Sequence, residues 1–130
     1  MGTDIRAYIE YTITEPDGSK DFFTWYDVEL GRNYLLFALM ANVKNRSKLQ
    51  PVSVPKGLPN DVSDGIQCAY ENYDSPYLPS WLSLSELREV QRRYHEECDE
   101  PDLFLDVVIA AMDVLEQNHT EESRLIFWFD

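Results

Sequence analysis

Apolar and polar residues alternate strictly along residues 4–14. Ile5, Ala7, Ile9, Tyr11 and Ile13 fall on one side, and Arg6, Tyr8, Glu10 and Thr12 on the other. A period of two is that of a half-buried strand. Glu15-Pro16-Asp17-Gly18-Ser19 then supplies turn chemistry, with Gly18 free to adopt positive φ. Residues 22–30, rich in aromatic and β-branched side chains, predict a second strand and so a hairpin. From residue 33 the pattern changes. Leu36, Leu39, Met40 and Val43 recur at helical spacing in a stretch apolar almost all round, which predicts a short buried helix capped by Asn33.

Residues 44–60 carry no period, and Pro51, Pro55, Gly57 and Pro59 deny them regular structure. Loops of this length inside a domain are uncommon and often functional. Val52, Val54 and Leu58 suggest that this one packs on the body. Residues 61–73 read as a helix with Asp61 as N-cap and Asp64 in its first turn. Residues 74–80, with Pro76 and Pro79, read as irregular. Ser83 and Glu86 then form a capping box, and Leu82 and Leu87 a hydrophobic staple, for a helix over residues 84–97 that buries Leu84, Leu87, Tyr94 and Cys98. Pro101 opens another helix, with Leu103, Phe104, Val107, Val108, Ala111 and Leu115 as its expected apolar stripe. Residues 124–130 form a strand apolar on both faces, which belongs in the middle of a sheet. The order ββα–loop–αααβ predicts a single α+β domain over residues 1–130. Its small sheet joins an N-terminal hairpin to a C-terminal central strand, packed with about four helices.

The chain's 130 residues and 44% hydrophobic content are enough for one core and exclude a disordered or repeat-built chain. Its 24 acidic against 11 basic residues set a net charge of −13, which repels nucleic acid polymers and anionic membranes. The charge is uneven. Residues 31–60 contain no Asp or Glu, yet hold Arg32, Lys44, Arg46, Lys48 and Lys56. This segment of +5 leaves −18 on the other 100 residues. It predicts either a positive site for a small anionic ligand or a basic segment that pairs with the chain's own acids or with a second subunit. Nothing resembles a signal peptide, and every apolar run is too broken to span a bilayer, so a cytoplasmic location and no membrane partner are expected.

Few residues converge on catalysis. Two cysteines, Cys68 and Cys98, are 30 positions apart, so they form neither a disulfide framework nor a CxxC metal site. His95 and Cys98 stand three apart on one helix, but only His119 could join them at a zinc ion. Glu96, Glu97, Asp99 and Glu100 around Cys98 disfavour its thiolate. Glu10, Asp27 and Glu29 could neighbour one another on adjacent strands and serve a hydrolase or hold Mg²⁺. Tyr34, Tyr70, Tyr73, Tyr77 and Trp81 could stack on a base, although core or rim positions are commoner for such rings.

Several words of the sequence recur in order elsewhere: Thr3-Asp4-Ile5, Arg32-Asn33-Tyr34-x-x-Phe37-Ala38 and Lys56-Gly57-Leu58-Pro59-x-Asp61-Val62-Ser63. They are followed by Ser80-Trp81-Leu82-x-Leu84-x-Glu86-Leu87 and by residues 124–130. Together they resemble an uncharacterised family of small bacterial and phage proteins, over most of the chain. Members of that family often carry His after Asp-Ile and a His-Ser-His-Ser-Trp string. This chain has Arg6 at the first place and Tyr77-Leu78-Pro79-Ser80-Trp81 at the second, which shifts the expectation from enzyme toward binder.

The expected function is capture of a small anionic, nucleotide-like ligand. Arg32, Asn33, Tyr34, Arg46, Lys56 and Trp81 are its candidate contacts: the cations meet phosphates, Asn33 marks a helix start, and Tyr34 or Trp81 stacks on a base. In a phage, such capture would make an anti-defence protein that sequesters an immune signal, an expectation from that context and not an activity the resemblance supplies. The alternative is an acidic protein–protein inhibitor whose −18 body imitates DNA toward a host enzyme. A second alternative is an acid- or Mg-dependent hydrolase. No cofactor, resident metal or catalytic residue is expected, and the composition is compatible with a homo-oligomer or a host protein partner.

Overall fold

A computed structural model describes residues 2–118 and 122–130. Strand β1 (Ile5–Thr14) turns back into β2 (Lys20–Val28), and helix α1 (Tyr34–Ala41) follows. After the long loop come α2 (Asp64–Glu71), β3 (Tyr77–Ser83), α3 (Leu84–Cys98), α4 (Leu103–Asn118) and β4 (Ser123–Phe129). The four strands form one antiparallel sheet in the order β2-β1-β4-β3. The predicted α+β architecture, with an N-terminal hairpin and a C-terminal central strand, is therefore observed. No helix among the described residues is long and apolar enough to cross a membrane.

The hairpin forms where its turn chemistry lies. Gly18 takes φ +89°, and its N–H donates to the Glu15 carbonyl at 2.9 Å while Asp17 Oδ1 accepts from the Ser19 N–H at 2.9 Å. The second strand begins and ends two residues earlier than its aromatic pattern suggests. Strand β4 is buried at every position because both sheet faces are covered. On one face Ala7, Ile9, Leu82, Leu125, Phe127 and Phe129 pack against α1, α3 and α4. On the other, Ile126 and Trp128 meet Ile66 of α2, together with Tyr8, Leu58, Val62, Tyr70, Tyr73 and Trp81.

Three local expectations are corrected. The helix expected over residues 61–73 spans Asp64–Glu71, with Ser63 at the cap and no side-chain capping bond. Asp61 instead turns toward Arg124, an ion pair that outcompetes the cap (Nη1 to Oδ1 3.0 Å). Residues 74–80, expected to be irregular, enter edge strand β3 at Tyr77. A register shift between Tyr77 and Ser80 absorbs Pro79 and the positive φ of Leu78, which an edge tolerates. The apolar stripe of α4 is rotated from the expected one. Leu105, Val108, Ile109, Met112 and Leu115 face inward, whereas Leu103, Phe104 and Val107 are exposed.

Elsewhere the local signals hold. Asn33 Oδ1 caps α1 through the Leu36 N–H at 3.2 Å, and the Ser83–Glu86 capping box is complete. Of the residues expected to be buried by α3, Leu84 and Leu87 are in the core, and Tyr94 and Cys98 are half-buried at its rim. The long loop is anchored by the Val52 N–H to the Leu39 carbonyl (2.8 Å) and by the Gly57 N–H to the Pro79 carbonyl (2.9 Å), although Val54 stays exposed.

Candidate functional site

The six candidate contacts divide among separate places. Arg32 is drawn to Asp4, Nε to Oδ1 2.9 Å, beside a polar groove of about 500 Å³ where β1 and β2 splay apart past Val28. Its hydrogen bond holds the Asp4 carboxyl below its ordinary range and raises the guanidinium's own pKa. Asn33 is structural. Besides capping α1, its Nδ2 donates to the Tyr94 hydroxyl at 2.9 Å and to Asp102 Oδ2 at 2.7 Å. Asp102 in turn caps α4 through the Leu105 N–H, so one amide ties the starts of two helices together.

Lys56 and Trp81 do meet, with Nζ 3.9 Å from the ring centroid. They line a groove of about 560 Å³ with Leu58, Pro59, Asn60, Asp61 and Arg124. Its two cations are internally compensated. Lys56 reaches both Glu86 oxygens, at 2.8 and 2.9 Å, and Arg124 is held by Glu10 and Asp61. Burial disfavours the Glu86 carboxylate, but the Lys56 bond and the Ser83 N–H outweigh it, so this carboxyl sits below its ordinary range. The sequence pattern does not single out Arg124, since its strand reads as apolar. The only hint of it lies in that reading, as a lone cation in a central strand needs a buried acid.

Tyr34 and Arg46 form the third place, and Lys44 joins them. Arg46 Cζ lies 5.8 Å and Lys44 Nζ 6.0 Å from the Tyr34 ring centroid. They border a cavity of about 120 Å³ lined also by Leu35, Ala38, Asn45, Ser47 and Leu49. The Tyr34 ring is held by its hydroxyl, which accepts from the Thr3 N–H at 3.1 Å, and by a tilted contact with the Phe37 ring. The 44–48 turn is shaped by Asn45. Its Nδ2 donates to Asn42 Oδ1 (2.8 Å) and the Leu49 carbonyl (2.7 Å), and its Oδ1 accepts from the Leu49 N–H (2.9 Å). Lys44 and Lys48 both sit at positive φ, 53° and 55°, a conformation that side chains with a Cβ adopt at a cost. Among the described residues, Lys44, Arg46 and Lys48 are in no ion pair with an acid. The uncompensated part of the basic segment is thus concentrated on five residues.

The remaining candidates scatter. Glu10 is sealed against Arg124, Asp27 is exposed opposite Tyr8, and the Glu29 carboxylate accepts from the Gly31 N–H, so the three acids do not converge. Tyr70 and Tyr73 pack edge-on against Trp128, and Tyr77 lies against Phe129. His95 is exposed, Cys98 Sγ donates to the Glu100 carbonyl at 3.2 Å, and His119 lies outside the described residues. Among the described residues, no three His, Cys, Asp or Glu side chains gather as a metal would require. No family model, curated protein or solved structure matches the chain.

Proposed function

We propose that this protein binds a small anionic, nucleotide-like ligand, and that the Tyr34–Lys44–Arg46 cavity receives its phosphate. One observation carries the reading. Three cations without an acidic partner among the described residues stand on one braced turn of a chain whose net charge is −13. An anion approaching the rest of the surface is repelled, and here it meets a local excess of positive charge. The cavity, about 120 Å³, fits a phosphate and not a whole nucleotide, since sites that enclose drug-sized ligands start near 300 Å³. The rest of the ligand would then lie outside, toward solvent. With the resemblance to bacterial and phage proteins, sequestration of a nucleotide immune signal is the role that fits such capture.

The test is a thermal-shift and calorimetric screen with inorganic phosphate and with mono-, di- and cyclic nucleotides. A ligand at a hundred times its Kd adds about 2.7 kcal/mol, a clear rise in Tm for a domain of this size. Arg46→Ala and Lys44→Ala should each remove the shift while the unliganded Tm stays put. Unchanged affinity in both variants would overturn the site. Binding that survives them but fails in Lys56→Ala would move it to the Trp81 groove.

A further inference from the structure

Helix α4 is apolar on two sides. Its inner side belongs to the core, but Leu103, Val107 and Val114 expose 71%, 63% and 57% of their surface, Phe104 exposes 51%, and Ala110 is exposed beside them. Residues 103, 107, 110 and 114 step by alternating fours and threes, the spacing of a heptad seam. Contiguous exposed apolar surface of this kind marks an interaction site on a soluble domain.

We propose that this seam joins two copies of the chain, with α4 packed antiparallel against its symmetry mate about a two-fold axis. Charge decides the occupant. Two chains of −13 repel over most of their surfaces and can approach only through a face that carries none. The seam and its flank at Phe104, Ala111 and Asn118 hold no charged residue, and Asp106 and Asp113 stand on the opposite flank. Of the acids on the helix, Asp113 is neutralised by Arg88 at 2.7 Å, while Asp106 and Glu116 accept from neutral groups, Gln91 Nε2 at 2.7 Å and the Ser123 hydroxyl at 2.6 Å. A two-fold axis at the middle of the helix sets Asp106 opposite Ala111 and Asp113 opposite Phe104 of the second copy, so no acid meets an acid across the seam. The side-chain sizes also fit a two-fold, as an isologous contact demands. With the axis between residues 108 and 109, Leu103 faces Val114 of the second copy and Val107 faces Ala110, larger against smaller at each step. A helix of 16 residues is about 24 Å long. Such a helix pair is a small interface, so the dimer should be weak, with a dissociation constant in the micromolar range.

Sedimentation equilibrium of the full chain from about 10 to 300 µM spans that range. The expected result is a monomer–dimer equilibrium that Val107→Glu and Val114→Glu each shift to monomer over the whole range. Both sites are exposed, so at protein concentrations below the dissociation constant the circular dichroism melt of each variant should match the parent. Because the seam is uncharged and the chains repel elsewhere, raising NaCl from about 0.05 to 0.5 M should increase the dimer fraction. A monomeric parent at the highest concentration, a dimer that both variants leave intact, or dissociation by salt would each overturn the proposal. None of these results bears on anion binding at Arg46, so the two readings stand or fall separately.

Discussion

Arg124 Nε and Glu10 Oε1 lie 2.6 Å apart as direct cross-strand partners of β4 and β1, with the glutamate sealed from solvent. Glu10 spends its other oxygen on the Ser63 N–H at 2.6 Å, which fixes the start of α2 against the sheet. The guanidinium is covered by Phe22, 3.4 Å from Cζ to the ring centroid, and reaches Asp61 on its outer edge. A central strand thus carries a cation because the neighbouring strand, the turn before α2 and an aromatic ring satisfy it on every side. Removing one partner strands the other in the interior. Arg124→Met or Glu10→Met alone should cost about 3–5 kcal/mol, while the double variant Glu10→Met/Arg124→Met should cost less than the two singles together. Urea denaturation of the four proteins measures the coupling, and simple additivity would show that the pair does not act as a unit.

The 44–48 turn offers a separation of shape from charge. Asn45→Ala removes three hydrogen bonds but none of the cations. Such a loss should cost about 1–2 kcal/mol in stability. It should also weaken phosphate binding at least as much as Lys44→Ala does, because Lys44, Arg46 and Tyr34 are no longer held around one cavity. Full affinity in Asn45→Ala, measured by calorimetry, would mean that charge alone makes the site.

Strain at Lys48 gives the opposite combination. A residue with a Cβ at φ 55° is disfavoured by about 1–2 kcal/mol, which glycine relieves at an entropic cost of about 0.5–1 kcal/mol. Lys48→Gly should therefore raise stability by up to about 1 kcal/mol while lowering affinity for anions through the lost charge. A variant that is both less stable and equally tight would remove the argument that the turn holds a strained cation for binding.

How far the sequence anticipates the structure depends on whether a signal is local. The hairpin, the Asn33 cap, the Ser83–Glu86 box and the central β4 strand are each carried by residues within a few positions of one another, and all appear, with the second hairpin strand shifted by two residues. The Asp61 cap fails because Arg124, 63 residues away, competes for the same carboxylate. Edge strand β3 escapes a local reading because prolines there signal a break, and only a partner strand shows that pairing resumes after Pro79. The orientation of α4 is ambiguous for another reason. Its sequence is apolar over more than half its circumference, so spacing alone cannot say which half the sheet takes. At the candidate site, the basic segment is visible as composition. Which of its cations are neutralised depends on Asp4 and Glu86, both far along the chain from the residues they pair with.

The Lys56–Glu86 pair tests that last point through pH. The two side chains are about a quarter to a third exposed, so after solvent screening the pair should contribute only about 0.5–1 kcal/mol at neutral pH. Glu86 ionises more readily folded than unfolded, because the Lys56 ammonium and the Ser83 N–H overcome the burial that opposes its charge. A depressed folded pKa contributes stability that is complete above the unfolded carboxyl value and is lost as pH falls through the folded one. Lys56→Met should therefore destabilise the protein most near about pH 7, and the difference from the parent should shrink below about pH 4 as Glu86 becomes protonated in both. In Glu86→Gln the same lysine substitution should show no such pH dependence. Urea denaturation across this range reads both curves. A gap between parent and Lys56→Met that stays constant into acid would assign the lysine's contribution to its packing on Trp81 instead, where its Nζ stands 3.9 Å above the ring.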